Sequence, residues 1–155
     1  MPIVTPSVTR TEMVQIVMPG HCNALGTVFG GVVMSWIDVC AAVAAQRLAR
    51  RDVVTASMDT LVFLAAARIG DVVVVRGQVN WAGRTSMEVG VRVETEDPRT
   101  GVCTHTASAF LTFVAVDATG RPTPVAKFEP VTDEEKARFA AAAARREARI
   151  RGRAE

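Results

Sequence analysis

The stretch Phe29-Gly30-Gly31-Val32-Val33-Met34-Ser35-Trp36-Ile37-Asp38-Val39-Cys40-Ala41-Ala42-Val43-Ala44-Ala45 reads as one helix, apolar on nearly every side, that carries a single charge at Asp38. An ionised carboxylate in an apolar element needs a partner or a task, because desolvation is costly or forces the pKa to move. Asp38 is therefore the first candidate for chemistry. The paired glycines let the backbone turn tightly and let a ligand approach the first amides of the helix, where unpaired N–H groups and the helix dipole favour developing negative charge. A base and anion-stabilising amides thus share one element. The run falls short of the roughly 20 apolar residues of a membrane span, with Asp38 in its middle, so it is expected to be a buried helix rather than a membrane segment. One sheet face cannot cover a helix that is apolar all round, which calls for a wrapping sheet or a partner subunit on its other side.

Around this helix the chain alternates apolar runs with turn signals. Val8 to Val17 reads as a first strand, broken by Met18-Pro19-Gly20, and the loop His21 to Thr27 leads into the helix, expected from about Gly31 to Arg50 with the basic cluster Arg47, Arg50, Arg51 at its end. Four more strands follow: Val53 to Phe63, Val72 to Trp81, Ser86 to Glu94 and Val102 to Val116. Ser86 to Glu94 alternates most cleanly, with Met87, Val89, Val91 and Val93 on one face and Ser86, Glu88, Arg92 and Glu94 on a face expected to meet solvent or a polar interface. Thr132-Asp133-Glu134-Glu135 has the capping-box pattern and opens a last helix through Ala140 to Ala144. Strand, long helix, then four strands on short turns predict an α+β domain: an antiparallel sheet with one helix packed on it. Residues 1–130 form that single domain and 131–155 a basic helical tail.

At 155 residues, 49% hydrophobic and 22% charged, the chain has apolar material for one core. Three cysteines, Cys22, Cys40 and Cys103, give neither a disulfide framework nor a zinc knuckle and fit a reducing compartment. Residues 1–15 hold no apolar signal segment, so a cytoplasmic location is expected. The formal net charge of +2 hides an asymmetry: residues 136–155 carry seven basic and two acidic side chains, which leaves the rest of the chain acidic and without a broad basic face for nucleic acid. The tail reads as a solvated basic helix end, or else as a site for phosphates or a neighbouring subunit. His21 and His105 lie far apart without spaced partners, which argues against a metal site, and no phosphate-loop or dinucleotide fingerprint occurs.

Five stretches carry a resemblance: Met18-Pro-Gly-His-Cys-Asn23-Ala-Leu-Gly26-Thr-Val-Phe29-Gly30-Gly31, Trp36-Ile37-Asp38, Val54-Thr55-Ala56-Ser57-Met58-Asp59, Gly83-Arg84-Thr85-Ser86-Met87 and Phe113-Val114-Ala115-Val116-Asp117. In this order the chain resembles the hotdog-fold acyl-CoA thioesterases, in particular bacterial short-chain acyl-CoA hydrolases and cytosolic mammalian acyl-CoA thioesterases. The resemblance implies a hotdog fold, a sheet wrapped around the central helix, in homodimers that pair their sheets edge to edge and assemble as trimers of dimers. It matches Asn23 and Asp38 to the family's catalytic pair, and Thr55, Ala56, Ser57, Arg84, Thr85 and Ser86 to segments that line the coenzyme A groove. The expected reaction is hydrolysis of acyl-CoA to a carboxylic acid and coenzyme A, without metal or other cofactor.

Thioester hydrolysis needs an activated water and donors for the oxyanion. Asp38 can serve as general base or as nucleophile, the amides near Gly30 and Gly31 can hold the oxyanion, and Asn23 can orient water or thioester. Each has a plainer reading. Asp38 could cap backbone or pair with Arg47, Asn23 could shape a turn ahead of Gly26, and Gly83-Arg84-Thr85-Ser86 could be a simple hairpin turn. Thr55, Ser57 and Asp59 alternate onto one strand face, as groove lining or a hydrated edge. Gly31 and Asp38 are seven residues apart, hence about 10 Å along the axis, so one carbonyl cannot touch both within one chain. Antiparallel helices of two subunits would bring one helix's N-terminus to the other's Asp38. The rival functions are a hotdog hydratase or dehydratase, which would look to a histidine as well, and a non-catalytic acyl-CoA-binding regulator.

Overall fold

The computed structural model describes residues 2–153, so the last two residues of the tail lie outside the described residues. Strands β1 (Thr11–Ile16), β2 (Asp52–Phe63), β3 (Val72–Ala82), β4 (Ser86–Glu96) and β5 (Cys103–Val116) form one antiparallel sheet in the order β1-β3-β4-β5-β2, with helix α1 (Gly30–Ala49) on one face and helix α2 (Asp133–Arg153) on the other. β1 begins later than its apolar pattern suggests. Pro6 starts a 3-10 turn over Pro6–Thr9, closed by Thr9 Oγ1 donating to the Pro6 carbonyl at 2.7 Å, and the Val79 amide then donates to the same hydroxyl oxygen. Residues 8–10 therefore form a corner, anchored by buried Thr9, rather than strand.

α1 buries Val33, Trp36, Ile37, Cys40, Ala41, Ala44, Ala45 and Leu48 against the inner face of the sheet, where Val73, Val75 and Val79 of β3 meet Met87, Val89, Val91 and Val93 of β4 and Leu111 and Phe113 of β5. The helix can settle that close because β3 has Gly77 beneath it: a Cβ there would stand 3.2 Å from Cys40 Sγ. By length and composition α1 could cross a membrane, yet half of it is packed inside the domain, as a core helix is. It ends at Arg50, whose left-handed backbone (φ 52) lets its amide cap the Gln46 carbonyl.

The sheet does not cover α1 completely. Met34 and Val39 stay exposed (41% and 55%), and with Phe29 of the entry loop and Val54, Val62 and Phe63 of β2 they leave an open apolar margin along the edge of the sheet. Apolar area of this kind in one chain marks an interaction surface.

Of the two expectations for the other face of β4, solvent or a polar interface, the structure shows the interface. Glu88 is 2% exposed beneath α2, where Arg145 holds it through two bonds of 3.0 and 2.7 Å. The capping pattern forms nearly as read: Thr132 Oγ1 accepts the Glu135 amide, while the Glu135 carboxylate takes the amide of Val131, one residue earlier than the standard box. Phe139 stacks on Phe128, and Ala142 is buried, so the tail helix packs onto the sheet rather than trailing into solvent.

Candidate active site

Asn23 shapes its own loop. Its Oδ1 accepts the amides of Leu25 (2.9 Å) and Thr27 (3.3 Å), its Nδ2 donates to Thr27 Oγ1 at 2.9 Å, and Gly26 takes the left-handed turn (φ 77) that closes the loop. The turn-forming reading of Asn23 is thus met, and one of its two side-chain N–H donors stays uncommitted. The loop is fastened at the base of α1: the Phe29 amide donates to the His21 carbonyl, the Val28 amide to Ala67, and the His21 ring meets Trp36 edge-on at 5.1 Å.

At that same end the amides of Val32 and Val33 both donate to the Phe29 carbonyl, which leaves Gly30 and Gly31 as the open N–H pair of the helix among the described residues. Beside them lies a largely apolar cavity of about 410 Å³ lined by Val28, Gly30, Val33, Phe63, Leu64 and Thr106. Two turns further along α1, half-buried Asp38 accepts a 2.8 Å hydrogen bond at Oδ1 from Thr55 Oγ1 of β2. Arg47, the alternative partner for Asp38, instead donates to the Arg10 carbonyl. The candidate groups therefore fall into two clusters: Asn23, Gly30 and Gly31 at the helix start, and Asp38 with Thr55 about 10 Å along it.

Of the residues matched to the coenzyme A groove, Thr55 lies against Asp38 itself. Ala56 is the extra residue of a β-bulge, since Thr55 pairs with Phe113 and Ser57 with the next partner, Thr112. The bulge reverses the faces of β2. Thr55 points to α1, whereas Ser57 and Asp59 join Glu88 and Phe110 on the face beneath α2, so the three do not share a face as alternation alone predicts. Arg84 and Thr85 form the β3–β4 hairpin turn, closed by Gly83 N donating to the Ser86 carbonyl at 2.9 Å, with the Arg84 side chain exposed. Sheet register puts Ser86 in line with Val114 and Val54, two strands or about 10 Å from the β2 segment that carries Thr55.

The other chemistry-bearing residues have local tasks. His21 Nδ1 accepts the Met18 amide and Cys22 Sγ donates to the Met18 carbonyl, which uses both groups of the adjacent His–Cys pair. His105 Nε2 bonds Ser108 Oγ at 2.6 Å. Burial pushes the Cys40 thiol up to about 11, partly offset by Arg47, so it is not a nucleophile at neutral pH. Among the described residues no three His, Cys, Asp or Glu side chains gather as metal ligands. Sequence reasoning missed Thr55 as the partner of Asp38, because nothing in the one-dimensional pattern reveals which β2 hydroxyl faces the helix.

Residues 25–102 match the thioesterase superfamily. The uncharacterized acyl-CoA thioester hydrolase YkhA of Bacillus subtilis is 45% identical over 77% of this chain and 69% of its own. A crystal structure of an apo-hexameric acyl-CoA thioesterase superposes with a TM-score of 0.94 at 44% identity, covering 99% of both chains. The acyl-CoA hydrolase of Staphylococcus aureus, solved in complex with butyryl coenzyme A, coenzyme A and coenzyme A disulfide, gives 0.90 at 36% identity over 98% of this chain and 93% of that one. Its alanine variants at an aspartate, an asparagine and a threonine have also been solved. From these matches and the wrapped-helix architecture, the chain belongs to the thioesterase superfamily, and its relatives there include acyl-CoA thioester hydrolases.

Proposed function

We propose that this chain is a cytoplasmic acyl-CoA thioesterase that hydrolyses acyl-CoA to a carboxylic acid and coenzyme A at a site shared by two copies of the chain. The observation that carries the proposal is the Asp38–Thr55 hydrogen bond on a helix whose first amides are open. Thr55 occupies Oδ1, which leaves Oδ2 free to take a proton from water or to attack the thioester carbon as a nucleophile. The Gly30 and Gly31 amides of the other copy receive the carbonyl oxygen as it becomes an oxyanion, and the uncommitted N–H of Asn23 orients water or thioester. Water adds to the carbonyl carbon, the carbon–sulfur bond breaks, and the thiolate of coenzyme A leaves and is protonated. No step requires a metal or redox group.

Two features support this assignment. In the Staphylococcus aureus relative the replaced asparagine, aspartate and threonine are separated along the chain by the same intervals as Asn23, Asp38 and Thr55 here. The apolar margin beside Asp38, with the unpaired edge of β2, offers a second copy a surface of matching character, and pairing there gives homodimers from which a trimer of dimers can form. The Arg84-Thr85-Ser86 turn and the Ala56 bulge then line the path of the coenzyme A moiety, the exposed Arg84 guanidinium meeting its phosphates. Ser57, the sixth residue of the groove expectation, lies on the other face of β2, beneath α2. Three free cysteines suit the reducing cytoplasm.

Release of free thiol from acyl-CoAs ranging from acetyl to palmitoyl tests the reading. Thiol release that disappears in Asp38→Asn is expected. Hydration of an enoyl-CoA without thiol release would make the protein a hydratase, and tight coenzyme A binding with no turnover would make it a binding regulator.

A further inference from the structure

We infer that α2 is a strap that positions the reactive edge of the sheet: Arg149, acting through Asp59, fixes the bulged segment of β2 and so holds Thr55 against Asp38. The inference rests on the reading of Asp38 as the reactive carboxylate.

β2 is poorly fixed by its own ladder. It lies at the edge of the sheet, pairs among the described residues only with β5, and loses register twice, between Thr55 and Ser57 and again between Asp59 and Val62. Thr60, inside the second break, has a left-handed backbone at φ 52, which a β-branched residue adopts only when its surroundings impose it. Between the breaks only Ser57, Met58 and Asp59 keep regular partners. Among the described residues Ser57 Oγ and its neighbour Thr112 Oγ1 are buried without hydrogen-bond partners, so these two hydroxyls do not hold the bulge in place.

The fixing comes from the opposite face. Arg145 grips Glu88 of β4 through two bonds, and its guanidinium lies 3.7 Å from the centre of the Phe110 ring on β5. Phe110 pairs with Asp59 of β2, and Arg149, one helical turn beyond Arg145, donates to Asp59 Oδ2 at 2.9 Å with only 17% of its side chain exposed. Residues at i and i+4 share a helix face, so one stripe of α2 pins β4, β5 and β2 in succession. Two of the tail's basic side chains are thus directed at carboxylates of its own sheet.

Register explains why this matters for Thr55. A bulge displaced by one residue exchanges the faces of the side chains it passes, which would turn Thr55 away from α1. Asp59 is the charged residue nearest the bulge on its far side, and its ion pair sets where the extra residue must sit.

The test compares kcat and KM for Arg149→Gln and Asp59→Asn, each in wild-type and Thr55→Val backgrounds, with Asp38→Asn as control and circular dichroism to verify folding. A fall in kcat of about tenfold with KM little changed is expected for either variant, as for a displaced catalytic group. In the Thr55→Val background the same substitutions should cost almost nothing more, and the exchanged pair Arg149→Asp with Asp59→Arg should recover much of the activity. Asp59→Asn, nearly isosteric, asks the question from the sheet side should Arg149→Gln fold poorly. Inactive Asp38→Asn beside fully active Arg149→Gln and Asp59→Asn would overturn the strap alone, as would losses that simply multiply with that of Thr55→Val. Wild-type turnover in Asp38→Asn would overturn the site reading and the strap with it.

Discussion

Thr55 Oγ1 stands 2.8 Å from Asp38 Oδ1, so the one carboxylate of the central helix is held from the bulged edge strand of the sheet. A hydroxyl that donates to one carboxylate oxygen fixes the plane of the group and leaves the other oxygen for chemistry. Thr55→Val keeps the shape and removes the donor. Turnover should fall by about tenfold or more while Thr55→Ser stays close to wild type, as steady-state kinetics with a short acyl-CoA would reveal. Equal kcat for the valine and serine variants would show that the hydroxyl is idle.

Substitution can separate the loop-forming bonds of Asn23 from the chemical task proposed for it. Its Oδ1 accepts two loop amides, and losing such local bonds costs about 1 kcal/mol, so Asn23→Ala should lower both the melting temperature and kcat. Asn23→Asp keeps the acceptor but has no N–H to give. It should melt near the wild-type temperature and still lose turnover; normal turnover there would leave Asn23 as a loop former only.

How far the sequence carries the reader depends on which contacts are local. The helix around Asp38, the five strands and the capping of α2 are written in periodicities and turn residues that act over a few positions. The 3-10 corner at Pro6–Thr9 escaped because an apolar pattern there resembles strand while Thr9 closes a turn. Strict alternation put Thr55, Ser57 and Asp59 together, and the bulge at Ala56 separated them; a single extra residue leaves no mark in composition. The pattern left Glu88 facing either solvent or a polar interface because the helix that covers it begins 45 residues later, and the basic tail looked solvated for the same reason.

The Glu88–Arg145 pair should matter for stability. Removing one partner of a buried ion pair strands the other, which typically costs about 3–5 kcal/mol, whereas replacing both by apolar residues of similar volume is often close to neutral. Arg145 is 30% exposed, so the lower end of that range is expected for Arg145→Ala. Urea denaturation should give a clear loss for Arg145→Ala and a smaller one for the double replacement Glu88→Met with Arg145→Met. A larger loss in the double variant would mean that the charges themselves carry the contact.

Cysteine reactivity reports on the seating of α1. With its thiol pushed up to about 11 by burial, Cys40 holds about one thiolate in a thousand at pH 8, and the sheet shields it as well. Exposed Cys103 should react promptly with a thiol reagent at that pH, and Cys40 only once the protein is unfolded. Prompt labelling of Cys40 would show that the helix lifts away from Gly77.

The shared site is tested most directly by complementation. Asn23→Ala and Asp38→Asn chains, each folded and inactive, are refolded together or coexpressed with different tags so that mixed dimers form. If Asn23, Gly30 and Gly31 of one chain act with Asp38 of its partner, each mixed dimer has one site with both lesions and one with neither. With half the dimers mixed and sites acting independently, activity should return to about a quarter of wild type. Verified mixed dimers that release no thiol would contradict the two-chain site.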